Sequence, residues 1–205
     1  MDSLRRLEEI FAHFPGIGPR QAKRFVYYLL NRSDSSIKEF TDLVKEVKKS
    51  TVECGECHRF FAVNGSKKAV CSICSDSSRD NSLLMVVARD SDFESIEKSA
   101  AYKGLYFILG GTVPILDKEP EKRIRLKQLL ERVQKTAPKE IILSMNTTPD
   151  GESTAEIVKR AVESLSGGKS PYKSIVTVLG RGLSTGAELE YVDSDTIKNA
   201  LLNRH

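Results

Sequence analysis

The sequence predicts a multi-module α/β protein with a parallel sheet that carries helices on both faces. Three observations indicate this class. Residues 79–170 alternate short apolar runs with helical patterns, as in a parallel sheet covered by helices. Residues 1–50 place apolar side chains at helical spacing. Residues 51–78 are polar and hold all four cysteines in two close pairs. A C-terminal strand and helix, within 171–205, complete the predicted architecture.

Composition sets limits on the function of the chain. Its 205 residues include 40% hydrophobic and 29% charged residues, with a net charge of +4, which is typical of a soluble globular protein. A charge this small permits a nucleic-acid partner without arguing for one. The first residues are amphipathic rather than signal-like, and the longest apolar runs are too short to span a bilayer. We therefore expect a cytoplasmic protein without a membrane partner. In the cytoplasm, disulfides are disfavoured.

The N-terminal region is predicted to be two amphipathic helices joined by the turn Phe-Pro-Gly-Ile-Gly-Pro. Gly16 and Gly18 permit a positive φ and leave no Cβ to block a close backbone approach. Pro19 suits the first turn of the second helix. Amides at such a helix N-terminus favour an anion, for which a DNA phosphate is a candidate.

The second helix has a cationic face and an apolar face. At about 100° per residue, the cationic side carries Arg20, Lys23, Arg24 and Tyr27. The opposite, core side carries Ala22, Phe25, Val26 and Leu29, with Leu30 at the border. This arrangement resembles a helix-hairpin-helix, a sequence-nonspecific reader of the DNA backbone; the alternative is an ordinary helical corner with a solvated charged face. The candidate DNA-binding residues are Gly16, Gly18, Arg20, Lys23 and Arg24.

The cysteines form two Cys-x2-Cys pairs, Cys54 with Cys57 and Cys71 with Cys74. Each pair presents two thiolates to one ion, and two pairs complete a tetrahedral site of the kind that zinc fills. Because protein ligands occupy all four positions, we expect one structural Zn²⁺ and no catalysis. A redox pair and four buried free thiols are the alternatives. His58 is expected to face solvent, and the metal to supply much of this small module's folding free energy.

The α/β part is predicted from apolar runs separated by helical patterns. The predicted strands are 83–88, 105–109, 140–145 and 174–180. The predicted helices lie near 92–102, 120–135, 152–165 and 195–203. Between them, the run from Ser166 to Ser174 is predicted to be a loop.

In their order and spacing, several segments resemble the bacterial RecR family of recombination mediators over essentially the whole chain. They are FPGIGPRQAKRF, CGEC with CSIC, MVVARDSDFESIE with YFILGG, IILSMNTTPDGESTAEIV and GLSTGAELEYVDSDTI. The resemblance implies four parts: a helix-hairpin-helix region (1–50), a zinc module (51–78), a Toprim-like domain (79–170) and a C-terminal strand-helix region (171–205).

The Toprim resemblance raises an enzyme hypothesis. Catalytic members of that superfamily carry a Glu after the first strand and D-x-D-x-x-G-E after a later one, and these carboxylates hold Mg²⁺. Here Ala88 stands at the first position, and Asn146 and Thr148 replace the paired aspartates. Only Gly151 and Glu152 match. We therefore expect no catalytic residues and no enzyme, and keep a Mg²⁺-dependent DNA enzyme as an alternative.

Four acids, Glu152 among them, lie near the carboxyl ends of the predicted strands, where open parallel sheets bind ligands. Asp90 and Asp92 are interpreted as charges at a helix N-terminus. For Asp150 and Glu152, the resemblance implies contact with basic residues of a partner, RecO. The alternative is that Glu152 caps a helix or faces solvent.

The function that the resemblance implies is a non-enzymatic scaffold in recombinational DNA repair. It would act with RecO, and in some settings RecF, to load recombinase onto single-stranded DNA, and would be associated with the nucleoid during repair. RecR-like proteins form homodimers and homotetramers, which would multiply the modest charge of +4. The second alternative function is a zinc-bearing adaptor that does not bind DNA.

Overall fold

The computed structural model describes residues 2–63, 70–117, 119, 122–166 and 174–203. The helices are α1 (Ser3–Ala12), α2 (Pro19–Leu30), α3 (Asp34–Ser50), α4 (Ser72–Ser75), α5 (Asp90–Lys98), α6 (Leu126–Thr136), α7 (Pro149–Ser166) and α8 (Ser194–Leu202). The strands are β1 (Thr51–Glu53), β2 (Phe60–Ala62), β3 (Asp80–Val87), β4 (Gly104–Ile108), β5 (Glu140–Ser144) and β6 (Ile175–Val178). A 3-10 turn covers Leu189–Tyr191. Most of the loop predicted after Ser166 falls on 167–173, outside the described residues.

The chain divides into two compact units. The first comprises Met1–Thr51 with Ala62–Asn64, and the second comprises Val52–Phe61 with Gly65–His205. The division passes through the two-stranded ribbon of β1 and β2. Among the helices that the structure describes, none has the length and apolarity needed to cross a membrane.

In the first unit, α1 and α2 pack against each other across the predicted apolar face. Ala22 and Val26 are both 1% exposed, so the central part of that face is buried as predicted. Phe25 differs, since it stays 40% exposed while its ring packs edge-on against Phe11 at 5.7 Å. The border residue Leu30 is largely exposed.

The second unit is built on a parallel sheet with the strand order β4-β3-β5-β6. The central strand β3 ends with Val87 paired to Ile108 on one side and to Ser144 on the other. The chain leaves β3 for β4 on one side and later crosses back to β5 on the opposite side. This reversal places a crevice between the carboxyl ends of β3 and β5, where open parallel sheets bind ligands.

Helices cover both faces of this sheet, which confirms the predicted fold class. Alternate residues of a strand point to opposite faces. Val86 and Phe107 lie on the face covered by α6 and α7, whereas Val87 and Tyr106 lie on the face that packs on Phe93 of α5. Fully burying side chains of this size contributes roughly 1.5–3 kcal/mol each.

Two predicted helix boundaries shift for local reasons. α5 begins at Asp90 rather than near 92, because the Asp92 side chain accepts a hydrogen bond from the Arg89 amide and so satisfies a free N–H at the helix start. α6 begins at Leu126 rather than near 120, because the Arg125 amide donates to the carbonyl of Leu109 instead of to a helical partner. The strand predicted in the C-terminal region becomes the fourth strand of the sheet.

Candidate functional site

The four cysteines converge on one small volume in the second unit. Their sulfur atoms all lie within 4.8 Å of one another, and Cys57 Sγ is 3.6 Å from Cys71 Sγ. Tetrahedral zinc with bonds near 2.3 Å separates its sulfurs by about 3.8 Å, whereas a disulfide requires about 2.05 Å. Cys54, Cys57 and Cys71 are 0% exposed, and all four thiols are free. The cluster could therefore hold one metal ion.

Thiols packed this closely interact strongly when they ionise. A hydrogen bond from the Cys57 thiol is the main influence that lowers the pKa of Cys54. The neighbouring sulfur of Cys54 raises the pKa of Cys74, and burial raises it further. Four thiolates at this separation repel one another unless a cation lies between them. A divalent metal ion would supply that charge, because the thiolate is the form that coordinates metals.

Local backbone turns aim the sulfurs inward. The first pair follows β1, where the Cys54 amide donates to the carbonyl of Arg59 at 2.9 Å and the His58 amide donates to the carbonyl of Cys54 at 3.0 Å. The Cys71 amide points at Cys54 Sγ, 3.3 Å away. Cys71 is the N-cap of α4, and Cys74 lies within that short helix. Both Cys-x2-Cys segments are thus turns that place two sulfurs on one side.

The first cysteine pair is also fastened to the sheet. The Ile108 amide, at the end of β4, donates to the carbonyl of Cys57 at 2.9 Å. Glu56, between the two cysteines, forms an ion pair with Arg132 of α6, and its other oxygen lies 2.7 Å from Lys135 Nζ. Arg132 is only 9% exposed. A buried guanidinium is costly without a partner. Glu56 therefore neutralises a buried charge on α6, one of the helices that cover the sheet.

His58 does not face solvent, contrary to the expectation from the sequence. Its backbone φ is +62°, and this turn lays the ring edge-on against the buried Phe107, with centroids 5.2 Å apart. Nδ1 lies 2.7 Å from a carboxylate oxygen of Glu53. His58 is therefore a packing residue between the cysteine module and β4.

The ribbon next to the cysteines contacts α5 as well. The Phe60 amide donates to the Asp90 side chain at 3.0 Å. The Arg59 guanidinium lies 4.5 Å above the centre of the Phe93 ring. Asp90 thus serves at a helix start, as the sequence indicated, and also anchors the ribbon. Sequence reasoning missed these contacts, because they join residues far apart in the chain.

In the first unit, the predicted turn joins α1 and α2. Gly16 has φ +74°, a conformation that favours glycine. Gly18 is the N-cap of α2, and a Cβ there would meet nothing within 4 Å, so its backbone is open to an outside group. Arg20, Lys23 and Arg24 are all exposed. The structure thus brings the five predicted DNA-binding residues onto one turn and the helix that follows it.

The crevice at the carboxyl ends of β3 and β5 lacks three of the four acids of a Toprim metal site, and Glu152 is the one that remains. Ala88 is 1% exposed, and Asn146 and Thr148 lie on the loop after β5. Gly151 sits directly against the Asn146 carbonyl, where any Cβ would overlap it. This contact explains why the glycine is present even though the paired aspartates are not.

Asp150 and Glu152 both lie in the first turn of α7. Glu152 neither caps the helix with its side chain nor points only to solvent. Its Oε1 lies 2.7 Å from Arg181 Nη1, and its side chain is 54% exposed. A cavity of about 560 Å³ opens beside this pair. The Asp150 carbonyl accepts a hydrogen bond from the Thr154 hydroxyl.

These features define a class: a Toprim-type α/β protein with a four-cysteine cluster that could hold one metal ion, and with a basic helical hairpin. The model of the Toprim domain matches residues 82–170, and the model named RecR, C-terminal, matches residues 182–205. Recombination protein RecR of Staphylococcus saprophyticus is 34% identical over 99% of this chain and 96% of its own. The Psychrobacter cryohalolentis protein of the same name is 36% identical over 93% and 90%. The chain belongs to the RecR family.

Proposed function

We propose that this protein is a non-enzymatic, DNA-binding scaffold in recombinational repair. By this proposal it acts with a RecO-family protein, and in some settings RecF, to promote recombinase loading on single-stranded DNA. The observation that carries the proposal is the exposed basic turn and helix in a chain whose full-length relatives are named recombination proteins. Each of the four predicted parts would have its own role. Residues 1–50 would bind DNA, 51–78 would bind the structural metal ion, 79–170 would bind the partner protein, and 171–205 would complete the fold.

The metal in this proposal is zinc, bound by Cys54, Cys57, Cys71 and Cys74. Support comes from the sulfur separations and from the preference of zinc for tetrahedral thiolate sites. Because no position is left for water or substrate, the ion would be structural.

Self-association is part of the proposal. Helix α3 has no buried residue, yet it carries an apolar stripe at helical spacing. The stripe consists of Phe40, Leu43, Val44 and Val47, each at least 50% exposed. Contiguous exposed apolar surface of this kind marks interaction sites. A dimer or tetramer that covers the stripe would also bring several basic hairpins to one DNA strand, raising avidity.

Partner docking is assigned to the first turn of α7. Asp150 and Glu152 place negative charge at the carboxyl edge of the sheet, where a basic surface would be attracted. Glu152→Gln is expected to weaken binding of the RecO-family protein, measured by calorimetry, because it removes that charge with little change in size.

The DNA grip is tested by the double variant Arg20→Ala with Arg24→Ala. Each phosphate contact contributes about 0.7 to the salt slope for single strands, so the slope should fall by about 1.4 and affinity by roughly ten-fold or more at low salt. Fluorescence anisotropy with labelled oligonucleotides over a salt series measures both. The matched control, Arg160→Ala with Lys198→Ala, removes two cations of the second unit that are exposed as well and should leave the salt slope and the affinity unchanged.

Two rival functions have distinct signatures in these experiments. If the Arg20 and Arg24 variant binds DNA like its control, the proposed DNA-binding role of the helical hairpin is wrong. An adaptor that does not bind DNA is then favoured. Mg²⁺-dependent nicking, relaxation or primer synthesis by the purified protein, abolished by Glu152→Ala, would instead establish an enzyme.

A further inference from the structure

The cavity beside Glu152 is strongly polar and already contains a cation of the chain itself. It is lined by Thr147, Glu152, Gly180, Arg181, Gly182, Asp193, Asp195, Thr196 and Asn199. Three carboxylates and one guanidinium line it, and of these carboxylates Glu152 is the one that pairs with Arg181. The Asp193 side chain instead accepts hydrogen bonds from Thr196, and Asp195 pairs with Lys198. Its wall is formed by the start of α7 on one side and by the C-terminal segment 180–203 on the other.

Arg181 reaches across this cavity. Its Nη1 donates to Glu152 Oε1 at 2.7 Å, and its side chain is 33% exposed. Its carbonyl accepts a hydrogen bond from the Asn203 side chain at 2.7 Å. Gly180 and Gly182 flank it, and neither would bring a Cβ within 4 Å of another group. The arginine is therefore held by polar bonds on a backbone that has few packing restraints.

The segment that carries Arg181 is thinly packed. Helix α8 has no buried residue, and Tyr191 and Leu202 are 80% and 82% exposed. Before this segment, the Leu179 amide still bonds to the carbonyl of Leu143 at the end of β5. Elements with little buried apolar surface open at low free-energy cost. The segment can thus leave the edge while the sheet stays folded.

We propose that Arg181 is an internal competitor for the docking site on Glu152. A partner protein that presents an arginine or lysine to this edge must displace the Arg181 guanidinium, and residues 180–203 then move away from the start of α7. This inference rests on the proposed docking role of Glu152. It adds that the C-terminal segment keeps the site closed until a basic partner arrives.

The test compares Arg181→Gln with Arg160→Gln. Both variants remove one positive charge beside α7, but Arg160 pairs with Glu156, away from the cavity. The gain in affinity is limited by the free energy of the ion pair that the partner no longer has to break, which is small for a pair open to solvent. Arg181→Gln should therefore bind the RecO-family protein about two- to five-fold more tightly than Arg160→Gln does. Calorimetry at about 0.1 M salt gives both affinities. Hydrogen exchange of the α8 amides should accelerate in Arg181→Gln alone, and in the unmodified protein when the partner is added.

The outcomes separate the inference from the docking proposal on which it rests. If Glu152→Gln weakens partner binding while Arg181→Gln binds no better than Arg160→Gln, docking stands and the competitor role is refuted. If Glu152→Gln leaves binding unchanged, both ideas fail. Unchanged α8 exchange on partner addition would also overturn the displacement.

Discussion

Removing the ion pair between Glu56 and Arg132 directly tests how the cysteine module, residues 51–78, is attached to the α/β unit. The perturbation is Glu56→Gln, which keeps the size of the side chain and all four cysteines while removing its charge. Burial lowers the pKa of Arg132, because the charged form loses solvation. The guanidinium stays charged in the folded protein, so the variant leaves a buried cation without its anion.

The magnitude follows from the exposure of the partners. Removing one member of a fully buried pair costs about 3–5 kcal/mol. Glu56 is 24% exposed and its second partner Lys135 is 66% exposed, so water replaces part of the lost interaction and Lys135 adds less than about 1 kcal/mol. We therefore expect Glu56→Gln to lower the free energy of unfolding by about 2–3 kcal/mol. For a chain of this length, the melting temperature should fall by about 5–10 °C.

The assay is urea and thermal unfolding followed by circular dichroism, with zinc present in excess. Glu156→Gln is the matched control, because Glu156 pairs with Arg160 on an exposed helix face and should cost less than about 1 kcal/mol. Adding Arg132→Met to Glu56→Gln should recover most of the lost stability, since the stranded charge is gone. Equal losses for Glu56→Gln and Glu156→Gln would show that the buried pair does not fasten the module.

Two further predictions concern the second unit. Removing the metal with a chelator should lower the melting temperature of the α/β unit by more than about 10 °C, because the free energy of structural metal binding contributes to folding. Calorimetry of the chelated and reloaded protein measures the change. An unchanged transition would contradict a stabilising role for the metal. Gly151→Ala should cost about 1–3 kcal/mol in urea unfolding, because the new Cβ overlaps the Asn146 carbonyl. Gly182→Ala, whose Cβ meets nothing within 4 Å, should stay within about 0.5 kcal/mol, and equal effects would refute the packing argument.

The parts of the fold that the sequence predicted well are those specified by short-range patterns. Apolar runs predict the four strands of the parallel sheet, β3 to β6. Their alternation with helices predicts that the strands are parallel. The cysteine cluster was found from spacing alone, because two residues between thiols fix the local turn. In the hairpin, helical periodicity identified Ala22 and Val26 as buried.

The parts that could not be predicted are contacts between residues far apart in the chain. Glu56 looks like an ordinary charged residue between two cysteines, and Arg132 like one more cation on an amphipathic helix. Only the fold places them together. The same holds for Glu152 and Arg181, whose contact depends on β6 lying next to β5. The inward position of the His58 ring depends on a left-handed backbone, and that conformation has no signature in the sequence.

If the cysteine cluster holds a metal ion, as proposed, the edge strand β4 gives the sheet a reason to depend on it. Its outer backbone groups are paired with other parts of the unit: the Gly104 carbonyl accepts from the Arg79 guanidinium, and the Ile108 amide donates to the carbonyl of Cys57. An uncovered edge is a template for aggregation. The cysteine module (residues 51–78) has too few residues to fold by apolar burial, so with the proposed metal it would cover the edge only while the ion is bound. Metal loss should therefore expose β4 and promote aggregation before the rest of the sheet unfolds.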